Sequence, residues 1–185
     1  WDVCQNITDM FHKYADIQPE CEKDLPILFN EWCTSWGSPT HDSMLAIAEK
    51  IKEIPVSYAV IDAGWSRKEK DDHDPQGSNG EWDCDTEKFP AGLRGLSREL
   101  KALGLRTGIW MEFEVTTKGS DVHEGAWDQM HLYRNGEVIQ TGKIRRFWDF
   151  RKPEVTAYLT EKVIGFLRKN EIGLVNLSVA KTGEK

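Results

Sequence analysis

Short apolar segments alternate with amphipathic helical segments along most of this sequence, and the alternation restricts the folds that the chain can adopt. The hydrophobic pattern predicts the order strand, helix, strand, helix, strand, helix, strand. This order is typical of βαβ units, whose right-handed crossovers make the strands parallel and bring their carboxyl ends to one edge of the sheet. The sequence therefore predicts an α/β fold built on a parallel sheet.

Residues at the ends of the predicted elements support this order. The predicted strands are 26–30, 56–61, 106–114 and 173–179. Ser38 and Pro39 suit the cap and the first position of the first helix, and Gly104 suits the end of the second. Pro153 suits the start of the third helix. Two long polar stretches follow the second and third strands, and long loops in α/β folds are often functional.

The composition and charge of the chain exclude several classes of partner. The 185 residues include 24 Lys and Arg against 31 Asp and Glu, a formal net charge of −7, and an acidic chain without a basic patch is not typical of a nucleic-acid-binding protein. No apolar run approaches the roughly 20 residues that cross a bilayer, and no signal peptide opens the chain. We therefore expect a cytoplasmic protein with no membrane partner. The histidines lack ligand-like spacing and there is no glycine-rich phosphate loop, so we expect neither a metal nor a cofactor.

Polar and aromatic side chains cluster where the predicted strands end. They are Asn30, Glu31 and Trp32 after the first strand, Asp62 and Trp65 after the second, and Trp110, Glu112 and Glu114 in the third. Ligand sites of α/β sheets form at this edge. Carboxylates accept hydrogen bonds from sugar hydroxyls, and the face of a Trp ring can cover the apolar face of a sugar, so the rim fits carbohydrate chemistry.

Each of these residues also has a structural interpretation. A Trp side chain is more often part of a core than of a ligand site. Asp62 precedes Ala63 and Gly64, where an Asp can simply bond to nearby backbone in a turn. Glu112 and Glu114 alternate in register, which predicts a shared strand face, either as part of a site or as a buried pair bonded to Arg and Lys.

Five longer segments occur in a fixed order between about Leu25 and Gly173. They are PILFNEWCTSWGSPTH, YAVIDAGW, GEWDCDTEKFPAGL, LGLRTGIWMEFEV and RRFWDFRKPEVTAYLTEKVIGFLRKNEIG. Together they resemble the catalytic domain of family-36 glycoside hydrolases, the bacterial α-galactosidase or melibiase type. The resemblance implies a (β/α)8 barrel of the TIM type, with this chain covering roughly the first four β/α units. Residues 1–25 would be a lead-in or linker helix, and residues 26–185 the N-terminal half of the catalytic barrel.

The resemblance also implies a set of sugar-binding residues. They are Trp32, Asp62, Trp65, Trp110 and Arg146. Arg145 is the alternative match to the substrate-contacting arginine of the family. Ala63 stands where relatives often carry a second Asp, which leaves galactose and N-acetylgalactosamine both open as the preferred sugar.

The end of the chain departs from the family pattern. Ser178 stands where the family has its nucleophilic Asp, and Asn176 stands where it has a substrate-binding Lys. A Ser without an evident base beside it does not replace a carboxylate, and the acid/base Asp of the family comes from a later strand. We therefore expect no intact catalytic residue within this chain.

Two classes of function follow. The parent protein would be a retaining hydrolase that removes terminal α-linked galactose from oligosaccharides, or a related α-N-acetylgalactosaminidase or galactosyl transferase. The chain by itself would be a non-catalytic half-barrel that binds sugar or self-associates, because a (β/α)8 barrel takes about 250 residues and half of one exposes two sheet edges. Its partner would be a second copy or the remainder of the barrel.

Overall fold

The computed structural model describes residues 25–67, 79–142 and 144–177, together with Asn6 and Asp9. Asn6 and Asp9 are helical. The rest of the predicted lead-in helix lies outside the described residues, as does the charged loop that follows the second predicted strand.

Nine strands and five α-helices lie within the described ranges 25–67, 79–142 and 144–177. The strands are β1 (Leu28–Asn30), β2 (Tyr58–Ile61), β3 (Arg106–Met111), β4 (Val115–Thr117), β5 (Tyr133–Arg134), β6 (Glu137–Val138), β7 (Gln140–Thr141), β8 (Arg145–Phe147) and β9 (Leu174–Leu177). The helices are α1 (Trp32–Ser35), α2 (His41–Ile51), α3 (Gly92–Ala102), α4 (Pro153–Leu159) and α5 (Phe166–Lys169). A π-helical turn, Thr160–Gly165, joins α4 to α5, and a 3-10 helix spans Gly125–Met130.

The central sheet has four parallel strands in the spatial order β1-β2-β3-β9. Each helical segment between successive strands of this sheet returns the chain to the same end, as the predicted alternation requires. The carboxyl ends of the four strands therefore lie at one edge. Within the described residues β1 and β9 pair on one side only, so the sheet has two open sides.

The two faces of the sheet have different surroundings. Ile61, Ile109 and Met111 point to the face covered by helices, where they pack into one hydrophobic core. Apolar residues of the helices complete that core, namely Met44, Ile47, Ala48, Ile51, Leu93, Leu96, Leu100, Val155, Leu159 and Val163. Val60 and Gly108 belong to the opposite face, because side chains alternate along a strand and a β-carbon on Gly108 would contact the Val60 side chain.

The start of α2 corrects one prediction. Ser38 and Pro39 are not its cap and first residue, because Thr40 caps the helix and His41 begins it. The Thr40 hydroxyl accepts the Ser43 N–H at 3.1 Å, and the Ser43 hydroxyl accepts the Thr40 N–H at 2.9 Å. This reciprocal capping box satisfies two backbone donors, which a start at Pro39 would not do.

Two other element ends agree with their predictions. Gly104 follows α3 with a φ of +82°, the left-handed conformation that glycine adopts most readily after a helix. Pro153 is the first residue of α4.

The end of β3 corrects a second prediction. The strand stops at Met111 rather than at Glu114, and Glu112 to Glu114 turn into β4, so the two glutamates do not share a strand face. The long polar stretch that follows is not an irregular loop. It contains an antiparallel sheet of order β4-β8-β7, called here the inserted sheet, and the hairpin β5-β6. Strands of two or three mostly polar residues carry no period-two pattern, so hydrophobic periodicity does not predict them.

Candidate functional site at the carboxyl edge of the parallel sheet

Asp62 directly follows β2 and lies at the carboxyl edge, where its side chain is held by two donors. The Asn30 side-chain amide donates to Oδ2 of Asp62 at 2.5 Å, and the Ala63 backbone N–H donates to Oδ1 at 2.7 Å. The second of these is the local bond expected of a turn residue, whereas the first comes from the neighbouring strand. Each oxygen has accepted one hydrogen bond, and a carboxylate oxygen can accept another.

Glu31 holds the backbone of Asp62 from the buried side of the sheet. Its side chain is fully buried, and its Oε1 accepts the backbone N–H of Asp62 at 3.0 Å. Burial raises the pKa of the Glu31 carboxyl, while the hydrogen bond from the Asp62 backbone partly opposes the rise. The backbone N–H of Glu31 donates to the Val60 carbonyl at 3.2 Å, which extends the pairing of β1 with β2 by one residue.

Trp110 lies beside Asp62 at the end of β3. Ile61 pairs with Ile109, so the residues that follow them, Asp62 and Trp110, are neighbours across the sheet. Trp110 in turn pairs with Asn176 of β9. Asp62, Trp110 and Asn176 thus form a row across three adjacent strands, and Trp110 is 6% exposed.

The other two predicted tryptophans have different environments. Trp32 begins α1, is half-buried, and packs edge-on against Trp36 with ring centroids 6.1 Å apart. Trp65 is buried in the core, where its ring lies 5.2 Å from that of Phe166. Its indole N–H donates to the Trp110 carbonyl at 2.7 Å. Trp65 therefore contacts the site through the backbone of Trp110.

Gly64 brings the loops after β1 and β2 into backbone contact. Its φ is +96°, and a β-carbon at this position would overlap the carbonyl group of Gly37. Only glycine satisfies both the conformation and the close approach. The loop that carries Trp32 and the loop that follows Asp62 are therefore packed directly against each other.

Arg145 and Arg146 point in different directions from β8. Arg145 forms an ion pair with Glu112, with its Nη1 at 2.9 Å from Oε2, and both side chains are largely buried. Glu112 directly follows β3 and also accepts a hydrogen bond from the Asn79 amide at 3.3 Å. The buried contact of Glu112 with an arginine agrees with one part of the predicted alternative, a buried pair of Glu112 and Glu114 bonded to Arg and Lys. Arg145 thereby joins the inserted sheet to the carboxyl edge.

Arg146 instead contacts residues that precede the 3-10 helix or lie within it. Its Nη1 donates to the His123 carbonyl and to Oδ1 of Asp128, both at 2.7 Å. Its Nη2 lies 3.8 Å from Glu124. These groups lie beside a buried network on the inserted sheet, so the two neighbouring arginines belong to different parts of the molecule.

That network consists of His123, Thr116 and His131, called here the histidine network. The Thr116 hydroxyl lies 2.9 Å from Nδ1 of His123 and 2.9 Å from Nε2 of His131. Nδ1 of His131 faces the Asp128 carbonyl at 3.3 Å, and a carbonyl only accepts, so this nitrogen carries the proton. Nε2 of His131 then accepts from Thr116, and Thr116 accepts from His123.

Burial and nearby charge keep both imidazoles neutral. Burial, the Arg146 charge and His131 lower the pKa of His123 to about 4. Burial is also the largest cause of the lowered pKa of His131. The His131 ring stacks on Trp148 at 5.0 Å with an interplanar angle of 11°. The network is therefore neutral and closed at ordinary pH.

Ser178, which the family resemblance predicts to stand at the position of the nucleophile, lies outside the described residues. Across the described parts of the chain, no three His, Cys, Asp or Glu side chains are grouped as a metal site. None of the described helices is long and apolar enough to span a membrane.

Comparisons with known proteins agree with this architecture. The family profile described as Melibiase matches residues 2–182. The chain therefore belongs to the Melibiase family. It is similar in structure to α-galactosidases of glycoside hydrolase family 36. The predicted family is confirmed, and the parallel sheet is that of a partial (β/α) barrel, as predicted.

Individual relatives are considerably longer than this chain. It is 27% identical over 154 residues to α-galactosidase AgaA of Geobacillus stearothermophilus and 25% identical over 178 residues to an α-galactosidase of Escherichia coli. These alignments cover 83% and 94% of the chain but only 21% and 24% of the relatives.

The structural likeness is of similar extent. The crystal structure of AgaA superposes with a TM-score of 0.71 at 27% identity, over 81% of the chain and 20% of the enzyme. A variant of AgaA has been solved in complex with raffinose, and it superposes with a TM-score of 0.70.

Proposed function

We propose that the protein containing this chain is a retaining α-galactosidase and that the chain supplies the first part of its sugar-binding site. The arrangement of Asp62 carries the proposal. Its carboxylate is oriented by Asn30 and Ala63, keeps further acceptor capacity, and lies next to Trp110 at the carboxyl edge. Sugar recognition needs this combination of a fixed acceptor and an aromatic face.

Asp62 would accept hydrogen bonds from galactose hydroxyls, while Trp32 and Trp110 would lie near the apolar face of the ring. Trp65 would hold the Trp110 backbone through its indole N–H. Arg146 is the arginine that the family resemblance favours. The contact of Arg145 with Glu112 at the end of β3 supports Arg145 as the alternative.

The reaction proposed for the whole protein is double displacement at the anomeric carbon. A carboxylate attacks, the glycosidic oxygen leaves with a proton from an acid, and water then hydrolyses the glycosyl ester with overall retention. Both steps need two carboxyl groups about 5–5.5 Å apart. Because Ser178 stands at the position of the nucleophile, we do not expect turnover from this chain alone. Raffinose-type α-galactosides are the proposed substrates, since a relative binds raffinose.

The test is hydrolysis of p-nitrophenyl α-D-galactopyranoside by the full-length protein, with the α-N-acetylgalactosaminide measured in parallel. We expect release of p-nitrophenol from the galactoside and a loss of at least 100-fold in kcat/KM for Asp62→Asn, because the variant replaces an acceptor oxygen by a donor. Release only from the N-acetylgalactosaminide would change the proposed sugar to N-acetylgalactosamine. Release from neither substrate would refute the proposed hydrolase activity. Product analysis at high raffinose would separate hydrolysis from galactosyl transfer.

The second candidate is a half-barrel that associates and binds sugar without turnover. Leu28 in β1 and Leu177 in β9 are 46% and 51% exposed on the two open strands. An apolar groove of about 240 Å³ lies beside β9, lined among others by Phe113, Ile164 and Val175. Exposed surfaces of this kind favour a covering partner. Sedimentation of the 185-residue chain as a folded monomer would contradict self-association.

A cytoplasmic location is also proposed. Cys33 and Cys84 are free thiols, which suits a reducing compartment. Fractionation of the producing cells tests it, and recovery of the protein in the medium or the periplasm would contradict it.

A further inference from the structure

Asn30 connects two residues of the proposed sugar site that lie on different loops. Its Oδ1 accepts the backbone N–H of Trp32 at 2.8 Å, and its Nδ2 donates to Oδ2 of Asp62 at 2.5 Å. The N–H of Trp32 can only donate and an ionised carboxylate can only accept, so the two ends of the amide cannot be exchanged. The backbone of Trp32 thus orients the Asn30 amide, and the Asn30 amide in turn orients the side chain of Asp62.

The contact to Asp62 is the stronger of the two bonds. It joins an amide donor to a carboxylate, and hydrogen bonds to charged groups are shorter and roughly twice as strong as neutral ones. The carboxylate of Asp62 would otherwise rotate about its terminal torsion, which is broad for aspartate. With Asn30 on one oxygen and Ala63 on the other, the plane of the carboxylate is fixed.

The backbone of Asp62 is held separately. Glu31 accepts the Asp62 N–H from the buried side of the sheet, so loss of the Asn30 amide leaves that anchor in place. Asn30 itself is exposed and is not part of the hydrophobic core. Its truncation would therefore remove the constraint on the carboxylate with little loss of packing.

We propose that Asn30 is a positioning residue for sugar binding, which acts by holding the Asp62 carboxylate in the plane required by the sugar hydroxyls. The inference rests on the proposed function and adds to it a residue that does not itself need to touch the sugar. A pre-oriented acceptor binds its ligand without first losing rotational freedom.

Two substitutions separate this role from a structural one. Asn30→Ala removes the constraint. Asn30→Asp keeps the shape and an oxygen that can accept from Trp32, but it places a second carboxylate against Asp62. Two carboxylates at this distance share a proton when the pH falls, and the shared proton restores a hydrogen bond between them. Among the described residues, the titratable groups near this pair include the Glu31 carboxyl behind Asp62 and the Lys88 ammonium, which donates to the Gly64 carbonyl.

The control is Asn170→Ala. The Asn170 amide also makes a side-chain hydrogen bond, to the Phe166 carbonyl at 2.9 Å at the end of α5, away from the carboxyl edge. Wild type and the three variants are prepared in the full-length protein, their urea midpoints are compared, and galactose affinity is measured by calorimetry at pH 7 and pH 5.

We expect about tenfold weaker galactose binding for Asn30→Ala at both pH values, with an unchanged urea midpoint and with Asn170→Ala matching wild type. At pH 7, Asn30→Asp should bind galactose at least as weakly as Asn30→Ala does. At pH 5, the affinity of Asn30→Asp relative to that of wild type should rise severalfold. Wild-type affinity in folded Asn30→Ala, or no recovery of Asn30→Asp at pH 5, would overturn the positioning role while leaving the sugar site intact. Absence of galactose binding by the wild type would instead refute the proposed function, and the inference with it.

Discussion

The carboxyl edge of the parallel sheet and the histidine network of the inserted sheet both bury polar groups, but they satisfy them differently. In the network, each nitrogen that faces Thr116 has its partner inside the protein, and all three side chains are at most 3% exposed. At the edge, Asp62 is also buried, yet its carboxylate retains acceptor capacity and its partner Asn30 is exposed.

This difference separates a structural polar cluster from a candidate binding site. A closed network stabilises one arrangement of the backbone and offers nothing to a ligand. An edge with a fixed carboxylate and remaining lone pairs can exchange water for a hydroxyl group of a sugar. Sequence position alone does not make the distinction, because both regions are rich in Trp, carboxylates and neighbouring cations.

The sharpest test compares two Trp→Ala substitutions. Trp148 is fully buried and stacks on His131, so Trp148→Ala should lower the free energy of unfolding by about 3–5 kcal/mol. Trp32 is half-buried at the edge, and Trp32→Ala should cost about 1 kcal/mol while weakening galactose binding. Urea unfolding and calorimetry measure the two effects. Equal losses of stability would contradict the division between the regions.

Substitutions of the two arginines of β8 are expected to have an intermediate effect on the free energy of unfolding. Arg145→Met removes the guanidinium that is paired with the buried Glu112 carboxylate, and breaking this pair should cost about 3 kcal/mol. Arg146→Met removes contacts to Asp128 and Glu124, whose side chains are 53% and 64% exposed, and should cost about 1 kcal/mol. Urea unfolding of both variants tests the ranking. A larger loss for Arg146→Met would show that the histidine network depends on that charge.

The smallest expected effect is the pH dependence of the histidine network. The pKa of His123 is about 4 in the folded protein against about 6.5 for an unfolded histidine, so the unfolded state takes up a proton first as the pH falls. Stability is therefore lost between about pH 7 and pH 4, by about 2 kcal/mol between pH 7 and pH 5. The Gln side chain of His123→Gln cannot titrate. Between pH 7 and pH 5, the free energy of unfolding of this variant, measured with urea, should therefore fall by about 2 kcal/mol less than that of wild type. Equal losses of stability in wild type and His123→Gln would refute the assignment of this pH dependence to His123.

The main sheet was predictable from the sequence for a simple physical reason. Buried parallel strands need apolar residues on both faces, and the helices between them need one apolar stripe, so the alternation itself encodes the fold. The carboxyl edge followed from the same pattern, which brought Asp62 and Trp110 together correctly. Gly104 and Pro153 marked helix ends because their backbone preferences leave few alternatives.

Other features depend on the particular partner that a side chain finds in the folded protein. Thr40 prevails over Ser38 as the cap because its reciprocal partner, Ser43, lies three residues later. Arg145 and Arg146 are equivalent in the sequence, and only the pairing of β8 with β4 determines which of them meets Glu112. The sequence places Trp65 after β2 beside the other residues of the rim, whereas the packing of its ring on Phe166 depends on a helix a hundred residues later.

The contact between Gly37 and Gly64 has a consequence for how such a site can change. The first loop carries Trp32 and the second follows Asp62, and the two backbones touch where no side chain fits. A loop taken from a relative with another sugar preference would clash or leave a gap unless its neighbour were exchanged with it. The sequences of the two loops therefore have to change together. Grafting experiments that aim to alter specificity should transfer residues 31–37 and 62–65 together.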